Sequence, residues 1–141
     1  ITLIGVKDKP GVASAIFKPL NDQNIIIDMI VQNISADSKK TDVTFTVKRD
    51  DMPKAKNIIN ELKKNIDYDD LLTDAKVSKV SIVGAGMITH PGVAYKMFDA
   101  LSSKNINILV ISTSEIRISV LVNDKNVELA VKTLHSVFEL D

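Results

Sequence analysis

A near-repeat within the 141-residue sequence limits its fold more than any other feature. The phrase "DKPGVASAIFKPL" spans Asp8 to Leu20, and "THPGVAYKMFDAL" spans Thr89 to Leu101. Without a gap, the surrounding residues align at an offset of 81, which places Gly5 on Gly86. Further along, "DVTFTVKRD" aligns with "RISVLVND" at an offset of 75, so the first copy carries six extra residues, most simply within "SADSKKT". A repeat of this length predicts two copies of one folding unit, which we place at residues 1–76 and 77–141.

Each copy reads as strand, helix, strand, strand, helix. The apolar positions of the repeated phrase recur at helical spacing, and the β-branched runs that follow alternate as strands do. The predicted middle strands are 25–32 and the alternating positions 43–47 in the first copy, and 106–113 and 118–122 in the second. The predicted second helices are 53–64 and 127–138. Pro19 lies inside the first helix and is expected to bend it or end it early.

A closing strand is predicted in the first copy within "YDDLLTDAKV". The second copy has no clear counterpart. Three explanations stay open: the sequence stops early, strands are exchanged between the copies, or another part of a parent chain supplies the strand.

The predicted fold class is α+β, with two ferredoxin-like βαββαβ units whose helices lie on one face of an antiparallel sheet. The sheet face that carries no helices must be buried by another unit or by a second chain. We therefore expect a pseudo-symmetric pair of units and a homodimer.

Composition excludes several classes of partner. Eighteen basic residues balance eighteen acidic ones, so the field that attracts nucleic acid or anionic membranes is missing. No apolar run approaches the roughly 18 residues that span a bilayer, and the absence of cysteine fits a reducing cytoplasm. Because the sequence opens inside the strand-like run "ITLIGV", we interpret it as a piece of a longer polypeptide.

The Pro-Gly turns are the best candidates for binding. Asp8 and Thr89 are expected as N-caps, with proline in the first helical turn. Gly11 and Gly92 would leave the backbone N–H groups and the positive helix end open to a small anion such as a carboxylate. The alternative is a well-capped turn that binds nothing.

Other signals for chemistry are weak. "VGAG" begins like a dinucleotide fingerprint but lacks its third glycine and its acidic residue. His90 and His135 have no partners at metal or triad spacing, and the acidic cluster at 67–74 lacks the glycine and glutamate of a calcium loop. No catalytic residue and no metal site are expected.

Four stretches together resemble the paired ACT domains at the C-terminal end of aspartokinase: "DKPG", "IDMIVQNIS", "VSIVGAGMITHPGV" and "INILVISTSEIRISVLV". The resemblance implies a regulatory module that binds the end products lysine and/or threonine where the first ACT unit of one chain meets the second of another. It also implies that ATP, Mg²⁺ and aspartate belong to a kinase domain outside this sequence. No cofactor is then expected here beyond the amino-acid effectors.

The resemblance further implies which residues contact the effectors. They are Asp8, Gly11, Ala13, Ile26, Ile27, Asp28 and Gln32 in the first copy, and Met87, Val93, Ala94, Asn107, Ile108 and Thr113 in the second. Ile26 departs from the family, which often has asparagine there. Two alternatives remain: an ACT sensor attached to another amino-acid enzyme, or a purely structural dimerisation segment.

Overall fold

The two copies of the repeat build two separate antiparallel sheets. The computed structural model describes residues 1–33, 39–84 and 91–139. The chain divides into two compact units, Ile1–Ala75 and Lys76–Asp141, called unit 1 and unit 2. Both are α+β, as predicted, and no strand of the described residues is exchanged between the two sheets.

Unit 1 contains four strands and two helices. They are β1 (Thr2–Lys7), α1 (Val12–Asp22), β2 (Ile30–Gln32), β3 (Lys40–Phe45), α2 (Met52–Leu62) and β4 (Asp70–Leu72). The sheet order is β2-β3-β1-β4, and every neighbouring pair is antiparallel. The predicted closing strand is therefore confirmed as β4, next to β1.

Unit 2 repeats this arrangement with three strands in its described part. They are β5 (Val77–Val83), β6 (Val110–Thr113) and β7 (Arg117–Asn123), with helices α3 (Val93–Ser103) and α4 (Val127–Val137). The order is β5-β7-β6, so β5 holds the place that β1 holds in unit 1. Among residues 76–84 and 91–139, no strand takes the place of β4.

The edge strands are shorter than predicted. Of the predicted runs 25–32 and 106–113, only Ile30–Gln32 and Val110–Thr113 form strands. The preceding segment in unit 1 leaves the helix through Asn24, whose φ is +60°, and meets β3 through the amide of Asp28, which donates to the Thr46 carbonyl at 3.1 Å. A β-branched run favours extended backbone, but strand pairing also needs a partner at each step.

Pro19 does not end α1 early. The helix continues to Asp22, and α1 and α3 each have 11 residues. The prediction of an early end was wrong because a proline near the last turn removes a single intrahelical hydrogen bond there.

Each unit has its own apolar core between helices and sheet. In unit 1, Ile16, Leu20 and Ile59 from the helices pack with Leu3 and Phe45 from the sheet, all fully buried. The rings of Phe17 and Phe45 meet edge to face with centroids 5.2 Å apart. In unit 2 the corresponding cluster includes Met97, Leu101, Val120, Val122 and Leu134.

The pairing register of the strands matches residues of unit 1 to residues of unit 2 differently from the gapless sequence alignment. Thr2 faces Thr44 with their hydroxyls 2.9 Å apart, and Ser81 faces Ser119 with theirs 2.7 Å apart. These matching pairs equate Thr2 with Ser81, an offset of 79, whereas the helices stay at 81. The connection from first strand to first helix is therefore two residues longer in unit 2.

A bulge at Gly5 acts in the opposite direction, because it adds one residue to β1. The register of β1 against β3 shifts between Leu3 and Val6, while β5 pairs with β7 without a shift. Gly5 has a φ of +71°, its amide donates to Asp42 Oδ1 at 3.0 Å, and an added Cβ would lie 2.1 Å from Asp69 Oδ2. Glycine is favoured here by the positive φ, and an added Cβ would in addition displace the Asp69 carboxylate.

Candidate functional site

The helix that follows each Pro-Gly turn is capped by the glycine itself. Gly11 has a φ of +89° and Gly92 a φ of +91°, and neither helix start has a side-chain cap. An added Cβ would meet open space at both, so glycine is needed for the left-handed conformation and not for room. The expectation that Asp8 caps α1 was wrong, because a glycine three residues later takes that position; Thr89 lies outside the described residues.

This geometry leaves the first-turn amides of each helix available. The Gly11 carbonyl accepts from the Ala15 amide at 3.0 Å, and the Gly92 carbonyl accepts from the Lys96 amide at 2.9 Å. In α1 the Val12 amide donates to the Lys9 carbonyl at 3.3 Å, whereas the next first-turn N–H, that of Ala13, has no partner within the helix. Together with the helix dipole it forms a place where a carboxylate is stabilised.

Asp8 stands beside this helix start. It is exposed, and its amide donates to the Lys39 carbonyl at 2.9 Å. Within residues 1–33, 39–84 and 91–139, its side chain makes no hydrogen bond or ion pair. The carboxylate is therefore available for a ligand cation and has no structural task among these residues.

The other predicted contacts of unit 1 lie along the edge of the sheet. Ile26 is 62% exposed and Ile27 is half-buried, while Asp28 and Gln32 are exposed. Gln32 ends β2 opposite Val43.

These residues form two groups at opposite ends of α1. Gly11 caps the start of the helix, whereas Ile26 and Ile27 follow its end, where the Ile25 amide donates to Leu20. Eleven helical residues at 1.5 Å each separate the groups by about 16 Å. A small amino acid cannot contact both groups in one unit.

Gln32 lies between these groups and not beside Asp8. Its register partner Val43 is four residues along the chain from Lys39, which Asp8 contacts. That offset corresponds to roughly 13 Å along a strand, before the lateral distance across the sheet is added. The structure therefore does not bring these two side chains together within unit 1.

Unit 2 repeats the division. Val93 and Ala94 begin α3 and are half-buried. Asn107 is exposed, Ile108 is half-buried, and Thr113 ends β6 with its side chain exposed. Met87 lies outside the described residues.

Sequence reasoning missed an apolar trough in unit 2. A cavity of about 640 Å³ lies along β5 between α3 and α4. Its apolar lining includes Val80, Ile82, Val93, Leu134 and Phe138, and Lys96 lies at its edge with Nζ 4.9 Å from the Phe138 ring centre. The sequence signal was present at Val131 and Phe138, which stand where the first copy has Lys56 and Lys63.

No other chemical site is found in the described residues. They contain no group of three or more His, Cys, Asp or Glu side chains that could hold a metal ion. Within the acidic cluster, Asp69 accepts from Lys40 at 3.1 Å on the surface. No described helix is long and apolar enough to cross a membrane.

Comparisons with known proteins agree with this architecture. The ACT domain family model matches residues 1–62 and 80–138. The aspartate kinase of Pseudomonas fluorescens is 50% identical over 141 residues, which are 100% of this chain and 34% of that protein. The chain thus spans about a third of the length of the curated relatives it matches.

The chain matches two solved structures over most of their own length. A structure of aspartokinase alpha and beta subunits superposes with a TM-score of 0.90 at 45% identity, over 99% of this chain and 90% of that one. The ligand-free regulatory subunit of aspartate kinase from Thermus thermophilus gives a TM-score of 0.87 at 36% identity, over 97% and 90%.

Proposed function

The chain belongs to the ACT domain family, as the tandem regulatory region of an aspartokinase, and from this premise we propose that it binds lysine and/or threonine and thereby inhibits a kinase domain. The observation that carries the proposal is the twofold occurrence of a helix start capped by left-handed glycine. The open amides take the effector carboxylate, and neighbouring polar side chains take its ammonium groups.

The separation of the contact groups supports sites shared between chains. Because the helix-start residues and the residues after the helix lie at opposite ends of α1, each effector would contact the first group of one unit and the second group of another. The exposed apolar residues Ile26 and Ile30 on one edge segment, and Leu109 and Ile111 on the other, favour burial by a second copy. We accordingly propose a homodimer, checked by sedimentation at micromolar concentration, where a persistent monomer would contradict it.

Selectivity for lysine is assigned to unit 1. Asp8 supplies a carboxylate beside the turn, whereas the second copy has Thr89 at the aligned position. Loss of one charge-assisted contact costs roughly 1.5 to 3 kcal/mol, which is about ten- to a hundredfold in affinity.

The test is calorimetric titration of lysine and threonine into the chain and its Asp8→Ala variant. Lysine affinity should fall about ten- to a hundredfold and threonine affinity much less. Because Asp8 does not cap α1, the variant should melt at the same temperature as the parent without ligand. Thr89→Ala is the matched control and should leave lysine binding unchanged.

Each alternative predicts another outcome. Equal losses for both amino acids, or lysine affinity within about twofold of the parent, would remove the role of Asp8. Failure of both amino acids to bind at millimolar concentration would favour a structural dimerisation segment. The chain itself should not phosphorylate aspartate, with or without ATP and Mg²⁺.

A further inference from the structure

The bulge in β1 lies opposite Asp42 on β3. Between Leu3 and Val6 the register shifts by one residue, which leaves two β1 residues facing this single β3 residue. The extra residue of a bulge loses its place in the hydrogen-bond ladder. The Asp42 carboxylate supplies a partner instead, because its Oδ1 accepts from the Gly5 amide at 3.0 Å. Asp42 therefore satisfies the amide that the bulge removes from the ladder.

The pairing of β5 with β7 shows no shift at the equivalent place, where a different residue stands. Arg117 takes the position of Asp42, at the offset of 75, and a guanidinium cannot accept a hydrogen bond. Gly84, which the strand register equates with Gly5, donates its amide to the Ile116 carbonyl at 2.8 Å and continues the unshifted ladder. The bulge is thus present where a carboxylate can hold it and absent where the chain has arginine.

The bulge decides which side chains face the core beyond it. Val6 is fully buried in the unit 1 core, and Lys7 is exposed. Asp8 continues this shifted register, since its amide donates to the Lys39 carbonyl at 2.9 Å. Because side chains alternate along a strand, an unshifted register would reverse the face of every residue after the bulge. Asp8 would then lie on the sheet face that carries no helices, away from the start of α1.

We propose that Asp42 is a positioning residue for Asp8: its carboxylate holds the bulge at Gly5, and the bulge places Asp8 beside the start of α1. The consequence for selectivity rests on the function proposed above, in which Asp8 contacts lysine. Asp42 does not reach that contact itself, because it lies three residues along the chain from Lys39, which corresponds to roughly 10 Å. Asp42 acts on lysine binding only through the bulge.

Calorimetric titration of lysine and threonine into the chain and three variants tests the proposal. Asp42→Ala removes the acceptor and should lower lysine affinity about tenfold, the size of one lost hydrogen bond, with threonine affinity changed by less than about threefold. Asp42→Asn keeps an oxygen acceptor and should bind lysine within about threefold of the parent. Thr2→Val, the matched control, removes a hydroxyl contact between the same two strands before the bulge and should change neither affinity.

The Asp8→Ala background separates positioning from a general loss of structure. In that background, Asp42→Ala should lower lysine affinity by less than about a further twofold, because the contact that it positions is already gone. Full additivity of the two losses would overturn the proposal. An equal loss for Asp42→Asn and Asp42→Ala would overturn it too, because the charge of Asp42 and not its hydrogen bond would then matter.

The strand register gives a readout that needs no ligand. In nuclear magnetic resonance spectra, cross-strand Hα contacts of Lys40 with Lys7 mark the bulged register, whereas contacts of Lys40 with Val6 mark the unshifted one. Asp42→Ala should show the unshifted contacts and Asp42→Asn the bulged ones. If Asp42→Ala keeps the bulged contacts, the proposal is wrong even where lysine binds. If lysine affinity does not depend on Asp8, the proposed function is wrong, and the register still decides whether Asp42 holds the bulge.

Discussion

Unit 1 and unit 2 share one order of elements but complete it to different degrees. Unit 1 pairs β1 on both sides and buries Tyr68 between sheet and helices. Unit 2, in its described part, pairs β5 on one side and leaves a trough along it. The difference teaches that the three strands and two helices common to both units form a core by themselves, while the fourth strand covers what remains.

The largest expected loss of stability comes from removing the Tyr68 side chain, which fills a place in unit 1 that is open in unit 2. Tyr68→Ala should lower the free energy of unfolding by about 3–5 kcal/mol, because it removes a buried aromatic side chain and leaves a cavity. Urea unfolding followed by far-UV circular dichroism measures it. Phe138→Ala, at the edge of the unit 2 trough, is the control and should cost about 1–2 kcal/mol in residues 1–141. Equal losses would mean that the two regions are equally filled.

The bulge that distinguishes β1 from β5 gives the next effect. Gly5→Ala should cost about 2–4 kcal/mol, because alanine is strained at positive φ and its Cβ would collide with Asp69. Gly11→Ala has the same sign of φ but open space, so it should cost about 1 kcal/mol. Thermal melting of both variants separates collision from backbone strain, and a Gly5→Ala, Asp69→Ala double variant should recover part of the loss. Equal losses for the two glycines would exclude the collision.

The hydroxyl of Tyr68 gives a smaller and pH-dependent effect. Tyr68→Phe keeps the ring and should cost about 0.5–1.5 kcal/mol for the hydrogen bond to Ile59. Burial raises the pKa of Tyr68 above its usual value of 10.0, so the folded state favours the neutral phenol. The resulting stability is present below the unfolded pKa and is lost as pH rises through the folded pKa. Unfolding measured from neutral to strongly alkaline pH should show the parent losing its advantage over the phenylalanine variant; a constant difference would contradict this sign.

The smallest effect is expected at an ion pair present on α1 but not in the aligned positions of α3. Lys18 and Asp22 are 2.8 Å apart and exposed, and the hydrogen bond and charge of Asp22 raise the pKa of Lys18. The aligned residues are Asp99 and Ser103. Asp22→Ala should leave the urea midpoint unchanged within error, since solvent screens such a pair. A clear shift would mean that α1 depends on this contact.

Helix positions were predictable from the sequence because their apolar periodicity is local. The spacing of Val12, Ile16 and Leu20 predicted α1, and the same spacing predicted α3. The edge strands were predicted too long because a β-branched run does not reveal where its pairing partner ends.

Backbone conformation explains most of what the sequence did not show. A left-handed glycine displaced Asp8 from the cap, and the apparently gapless alignment gave no sign of the two-residue offset between first strands and first helices. Neither the exposure of Ile26 nor the distances between the candidate side chains followed from residue type. Only the folded chain shows that Gln32 lies opposite Val43 and away from the Lys39 carbonyl that Asp8 contacts.

The longer connection in unit 2 has a consequence for how two copies of a duplicated unit diverge. From Leu3 to Val12 the chain advances nine residues, and from Ile82 to Val93 it advances eleven. Closing a flexible loop of eleven residues instead of nine costs only about 0.2 kcal/mol, so selection on stability hardly opposes such an insertion. The length of this loop can therefore change in one copy while the glycine cap and both cores are retained, so a small insertion after duplication is a low-cost way for the two helix starts to diverge.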